Sequence, residues 1–215
     1  MATFTDFGLI LRRSTSHDDD VRVTVFLKAN GKITAFMKGA RRPHMKLKTL
    51  LEPFTEAEFQ VFSPGHATHG RLINGSLKNS HAKIRTSIPA FSMACRMSEV
   101  IDLLVPQRVP SPELFDILRL SFRWLDQMCS VQSVWIFFAG RLLKTLGYGD
   151  LLDGLMPSVP ESERDYLRSI ISAPIDQTNA GSIELPDRVL DPWTNLIDAR
   201  LDELLPRGLK SSVLA

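Results

Sequence analysis

The first eighty or so residues alternate apolar and polar positions with a period of two, which is the pattern of half-buried β-strands. Two such runs, within residues 21–38, flank Asn30-Gly31, a dipeptide typical of hairpin turns. Further strands are predicted at about 7–13, at 49–62 with a bend near Pro53, and at 70–77. Five strands without a helix long enough for a parallel crossover favour a small closed barrel.

The alternation within the hairpin also selects a register. A two-residue turn at Asn30-Gly31 would place Val25 opposite Phe36 and mix apolar and polar side chains on one face. A three-residue loop with Gly31 as a left-handed bulge residue pairs Lys28 with Lys32 and gives both strands an apolar face on the same side. We therefore predict the three-residue loop.

The second half of the chain has helical periodicity, with apolar residues three and four positions apart. Ser111 before Pro112 is a helix start signal, and Gly147 is a stop signal. Helices are predicted at about 89–104, 112–128, 131–146, 161–171 and 192–205, with Trp124, Trp135, Phe137 and Phe138 in their core. The predicted fold class is α+β, with a five-stranded OB-fold β-barrel over residues 1–83 followed by an all-helical domain over 84–215.

The balance of charged residues also changes near the predicted domain boundary. Residues 1–88 carry 14 Lys and Arg against 7 Asp and Glu, whereas residues 89–215 carry 12 against 17. The net charge of +2 therefore conceals a basic first half and an acidic second half. This split indicates a polyanionic partner for the barrel.

The basic charge is most concentrated between two predicted strands. Five cations without a carboxylate fall within residues 38–48: Lys38, Arg41, Arg42, Lys46 and Lys48. Such a segment suits phosphate contacts that do not read base sequence, and an ordinary solvated loop is the alternative.

The polar face of the hairpin carries aromatics among cations. In the predicted register this face shows Phe26 and Phe36 surrounded by four cations: Arg22, Lys28, Lys32 and Lys38. Single-strand binding uses rings for base stacking and cations for phosphates. The candidate DNA contacts are therefore Phe26, Phe36, Lys28, Lys32 and Arg13, in addition to the cations of 38–48. The alternative is that both rings pack under another segment or against the helical domain.

The sequence gives little indication of a metal site or of a catalytic site. Cys95 and Cys129 lack partners at metal-ligand spacing, which predicts apolar thiols and no zinc site. The acidic run 17–20 fits a polar turn better than a metal site, and no phosphate loop or nucleophile elbow is present. We expect no enzyme activity, cofactor, secretory signal or membrane span, and a cytoplasmic protein.

Several segments, in order and spacing, resemble the RecO family of DNA repair proteins. They begin with Phe7-Gly8-Leu9-Ile10-Leu11-Arg12-Arg13, Asn30-Gly31-Lys32-Ile33, Lys38-Gly39-Ala40-Arg41-Arg42-Pro43 and Leu51-Glu52-Pro53-Phe54. Ser98-Glu99, Glu113-Leu114-Phe115, the run from Arg141 to Tyr148 and Leu209-Lys210-Ser211-Ser212 continue the resemblance. Many members follow the Gly-Tyr segment with four zinc-binding cysteines. Here Tyr148 is followed by no cysteine, as in zinc-free members.

The resemblance implies a recombination mediator. Such proteins bind single- and double-stranded DNA, anneal complementary strands, and help RecR load RecA onto strands coated by single-strand binding protein (SSB), whose C-terminal tail would meet the helical domain. Lys38, Arg41 and Arg42 correspond to the family's basic segment. An OB-fold RNA-binding module in translation or ribosome assembly and a protein-interaction scaffold remain as alternatives.

Overall fold

The computed structural model describes residues 2–15, 20–39, 48–64, 69–150, 187–206 and 208–209, with isolated positions between 160 and 175. Five strands form a closed barrel in the order β1-β2-β3-β5-β4. They are β1 (Ala2–Thr15), β2 (Val21–Leu27), β3 (Gly31–Met37), β4 (Glu56–Ser63) and β5 (His69–Asn79). All neighbours are antiparallel except β3 and β5, which are parallel. This is the OB-fold arrangement, which confirms the predicted fold class.

The barrel is filled by the apolar positions of the two-residue alternation. Val21, Val23 and Val25 on β2 face inward with Ile33 and Ala35 on β3, and all five side chains are at most 1% exposed. Burying such side chains stabilises the fold by roughly 1.5–3 kcal/mol each. The polar positions between them are thereby turned to the outside of the barrel.

The predicted register of the β2–β3 hairpin is wrong by two residues. Val25 pairs with Ile33 and Leu27 with Gly31, so the loop consists of residues 28–30. The Asp6 carboxylate, 8% exposed, holds this loop by accepting hydrogen bonds from the backbone N–H of Ala29 at 3.0 Å and the side-chain amide of Asn30 at 2.8 Å. A shift of two residues preserves the inward face, which is why the alternation could not exclude it. Gly31 is left-handed as predicted, with φ +68°.

The predicted strand at 49–62 is correct only in its second part. Lys48–Leu51 forms a short 3₁₀ helix, and the strand begins at Glu56. Leu50 and Leu51 contribute to the barrel core instead of continuing a ladder. Phe54, 1% exposed, has a φ of +71° and donates its N–H to the Ile10 carbonyl at 2.7 Å. The chain therefore turns at Glu52–Thr55 before entering β4.

In the second half, the helices whose bounds the structure describes are α1 (Ile88–Leu104), α2 (Pro112–Asp126), α3 (Val131–Thr145) and α4 (Asp187–Leu204). The predicted stop at Gly147 is confirmed by its φ of +89°. The described positions of the predicted helix 161–171 are helical. The last helix begins five residues before the predicted start, so Pro192 lies inside it. Core positions were predicted correctly: Trp124 is 4% exposed, and Trp135, Phe137 and Phe138 are fully buried.

The chain divides into two compact units. One comprises Met1–Ala82 with Ser98–Phe115, and the other comprises Lys83–Met97 with Asp116–Ala215. The barrel unit therefore includes a stretch from the helical half of the sequence, which the predicted division at residue 83 did not foresee. Within the helical unit, Asp198 joins α4 to two other helices by accepting a hydrogen bond from the Trp135 indole at 2.9 Å and pairing with Arg96 at 2.7 Å.

No helix in the described part of the chain is long and apolar enough to span a membrane.

Candidate nucleic-acid interface

The outer face of the β2–β3 hairpin is covered at its loop end. Phe26, predicted as an exposed stacking ring, is fully buried, and its ring lies 5.9 Å from that of Phe115. The alternative that the ring packs under another segment therefore holds for Phe26. The covering segment 98–115 is part of the barrel unit and approaches so closely that the N–H of Arg108 donates to the Lys32 carbonyl at 3.0 Å.

Lys32 is also removed from the surface by this segment. Its side chain is 4% exposed, and its ammonium lies 3.0 Å from the Asp102 carboxylate and donates to the Asp102 carbonyl. The prediction that Lys32 lies on an open binding face is therefore wrong, because its charge is already neutralised. Lys28 is half-buried, with its ammonium 5.9 Å from the centre of the Phe115 ring.

The opposite end of the hairpin is open. Arg22 on β2 pairs across the strands with Phe36 on β3, Phe36 pairs with Arg71 on β5, and Arg71 pairs with Phe62 on β4. Both arginines are exposed and both rings are half-exposed. We call this row of alternating cations and rings, Arg22, Phe36, Arg71 and Phe62, the aromatic–arginine band. Since neighbouring strands are about 4.8 Å apart, it extends roughly 14 Å across the barrel.

Contacts along the band orient its side chains. The Arg71 guanidinium lies 5.6 Å from the centre of the Phe62 ring, and Arg22 donates from Nε to the Ser14 hydroxyl at 3.1 Å. The rings of Phe36 and His69 are nearly parallel, 6.3 Å apart with an angle of 18° between their planes. The rings offer flat surfaces to bases, and the guanidinium groups keep donors for phosphates.

The basic segment begins and ends on the barrel. Lys38 is exposed and follows Phe36 by two positions, while Lys48 is half-exposed at the start of the 3₁₀ helix. The backbone N–H of Gly39 donates to the Asp20 carboxylate at 2.9 Å, which fixes the start of the segment. The predicted contacts Arg41, Arg42 and Lys46 lie outside the described residues.

Arg13 is placed differently from the band arginines. It lies on β1 and forms an ion pair with Glu52, with both side chains about one-third exposed. This carboxylate competes with any phosphate for the guanidinium. Its predicted DNA contact stays a prediction.

Sequence reasoning missed Arg71 and Phe62 and named Arg22 only as part of the polar face. His69 is exposed, and its ring stacks on Phe36. These residues could have been found only by asking which strands are neighbours in the barrel. In an OB barrel the fifth strand runs parallel to the third, so outward residues at the start of β5 lie beside those of β3.

The described part of the chain adds no candidate metal ligand and no candidate reactive thiol. Among the described residues no three His, Cys, Asp or Glu side chains are grouped to hold a metal ion. Cys95 and Cys129 do not form a disulfide with each other, and both are half-buried.

The strand order and the band define an OB-fold protein with an appended helical domain and an open aromatic and basic face on its barrel. Two profiles of one family match the chain in succession: "Recombination protein O N terminal" over residues 1–81 and "Recombination protein O C terminal" over residues 85–154. The chain belongs to the RecO family of DNA repair proteins.

Similar proteins from bacteria carry the name "DNA repair protein RecO". The one from Pseudoalteromonas atlantica is 28% identical over 165 residues, which cover 76% of this chain and 67% of the relative. Those from Syntrophus aciditrophicus and Geobacter metallireducens are 27% and 30% identical over 155 and 147 residues, 72% and 68% of this chain. These matches span 60% and 59% of the two relatives' own length.

Proposed function

We propose that this protein is a non-catalytic recombination mediator. It binds single- and double-stranded DNA on its barrel, anneals complementary strands, and helps RecR load RecA onto strands coated by SSB. Annealing and loading move strands between partners without a covalent step, so the protein needs binding surfaces instead of catalytic groups. It acts in the bacterial cytoplasm, where the nucleoid DNA lies.

The aromatic–arginine band is the observation that carries the proposal. Its rings are half-exposed on an otherwise polar face, where a large aromatic side chain is costly to leave in water. Stacking with unpaired bases covers such rings, and the flanking guanidinium groups neutralise the phosphates between them. Lys38 and the other cations of 38–48 extend the positive charge from the end of β3.

The helical unit is the proposed site for protein partners. Its large aromatic side chains Trp135, Phe137 and Phe138 are fully buried and hold the helices together. Its surface is therefore available to RecR and to the acidic tail of SSB, while the barrel holds DNA.

The binding experiment replaces the rings while keeping the charges. Phe36→Leu and Phe62→Leu should each weaken binding of a labelled single-stranded DNA by about fivefold or more, because each removes a stacking platform worth roughly 1–3 kcal/mol per base. Tyr148→Leu is the matched control, since Tyr148 is an aromatic of the helical unit and is 39% exposed. Fluorescence anisotropy measures the affinity, and unfolding curves check that each variant is folded.

Equal affinity of the folded ring variants and the parent protein would reject the band as a stacking surface. A marked preference for RNA of the same sequence, together with no annealing of complementary DNA strands, would instead favour the RNA-binding alternative.

A further inference from the structure

A second aromatic–cation pair lies on the barrel outside the band. Phe7 on β1 is 40% exposed, and the ammonium of Lys78 on β5 lies 5.5 Å from the centre of its ring. Lys78 is exposed and also forms an ion pair with Glu58 on β4 at 3.3 Å. The arrangement repeats the chemistry of Phe62 and Arg71: a ring accessible from outside with a cation beside it.

The two pairs share one sheet face. Thr3 on β1 pairs with Phe62, which pairs with Arg71. Four residues further along β1, Phe7 pairs with Glu58. Because a strand rises about 3.4 Å per residue, the two rings are separated by roughly 13–14 Å along the strands.

The face between the pairs is uncovered and mainly polar, with Ile73 on β5 as a 42% exposed apolar side chain beside it. It is formed by Thr5, Gln60 and Asn74, which are paired in that order across β1, β4 and β5. Thr5 and Asn74 are exposed and Gln60 is half-exposed, so nothing in the barrel covers the route. Threonine, glutamine and asparagine side chains can hydrogen-bond to sugar and phosphate oxygens along such a route.

Charge along this face favours a polyanion except at one position. Arg71 and Lys78 face outward, and among the described outward-facing residues of β1, β4 and β5 only Glu58 presents a partly exposed carboxylate. Glu58 pairs with the Lys78 ammonium at 3.3 Å. A phosphate that replaces this carboxylate would form an equivalent ion pair at little cost, since exposed ion pairs are weak.

We propose that the nucleic-acid site continues from the aromatic–arginine band along β4 and β5 to Phe7 and Lys78, so that a longer single strand makes a second stacking and phosphate contact there. This inference rests on the proposed function, because it extends the same site. It assigns the ligand as single-stranded nucleic acid long enough to reach both pairs, which lies within the range of roughly 4–16 nucleotides that an OB fold covers.

The test compares oligothymidines of 5 and 20 nucleotides at low salt. The double variant Phe7→Leu/Lys78→Gln should weaken binding of the 20-mer by about fivefold or more and leave the 5-mer within about twofold, because the short strand can bind on the intact band alone whereas the longer strand contacts both pairs at once. Glu58→Gln is the matched variant on the same face. It removes the competing carboxylate and should strengthen binding of the 20-mer without altering the 5-mer.

The outcomes separate this inference from the function on which it rests. If the 20-mer binds the parent protein and responds to Phe36→Leu, yet is indifferent to both the double variant and Glu58→Gln, the extension is wrong and the band alone forms the site. If neither oligonucleotide binds the parent protein, the proposed function itself fails. Should the double variant not fold, the Glu58→Gln result decides, with unchanged affinity for the 20-mer rejecting the extension.

Discussion

Single cations on the barrel differ in what lies beside them. Arg22, Lys38 and Arg71 are exposed, whereas Lys32 is enclosed beside Asp102 and Arg13 is paired with Glu52. A sequence shows the charge of each residue but not its partner, which in both ion pairs lies 39 or more positions away. The enclosed ammonium of Lys32 offers little to phosphate, whereas the partly exposed pair of Arg13 with Glu52 only competes with it.

The Lys32–Asp102 pair should be structural. Asp102→Ala removes the carboxylate from an ammonium that is 4% exposed, and an unpaired buried charge is costly. We expect a loss of about 2–3 kcal/mol in the free energy of unfolding, below the value for a fully buried pair because Asp102 is itself 31% exposed. Urea unfolding measures the loss.

The control is Glu203→Ala, which breaks the exposed pair with Arg200 and should cost under about 1 kcal/mol. Equal losses in both variants would contradict a structural role for Lys32.

At the scale of elements, the two-residue alternation predicted most of the strands but not how two strands align. The alternation of Val21, Val23 and Val25 fixes the face of β2, and any even shift of the partner preserves that face. The alignment is decided by Asp6, which holds the hairpin loop from β1. Similarly, nothing local to 49–55 distinguishes a strand from the short 3₁₀ helix that lets Leu50 and Leu51 enter the core.

Gly31 is the element-scale position most sensitive to substitution. A Cβ there would lie 2.5 Å from the Val109 carbonyl oxygen, and the backbone is left-handed with φ +68°. Gly31→Ala should therefore cost about 2–4 kcal/mol, which combines a left-handed penalty of roughly 1–2 kcal/mol with the displacement of backbone. Gly147→Ala measures the left-handed penalty alone, because φ at Gly147 is +89° and nothing lies within 4 Å of an added Cβ. Thermal or urea unfolding measures the loss in the free energy of unfolding for both variants. Similar losses would show that Val109 does not approach the hairpin tightly.

At the scale of the whole molecule, the division of charge and of periodicity predicted a barrel followed by helices, which the structure confirms. The covered half of the hairpin could not be predicted, since the covering segment 98–115 comes from the helical part of the sequence yet belongs to the barrel unit. That segment buries Phe26 and Lys32 and leaves Phe36 and Lys38 for ligands. The candidate site accordingly extends from the hairpin and the basic segment to a row of side chains across four strands.

The most direct test of this account is the salt dependence of single-stranded DNA binding. With about five phosphates contacted, the logarithm of the binding constant should fall against the logarithm of salt concentration with a slope of roughly −3 to −4. Arg22→Glu/Arg71→Glu should weaken binding and reduce the steepness by about 1.4, at roughly 0.7 per lost phosphate contact, across all sequences tested. Arg123→Glu, at an exposed arginine of α2, should leave the slope unchanged. A folded double variant with the parent slope would contradict the band as the DNA-binding surface.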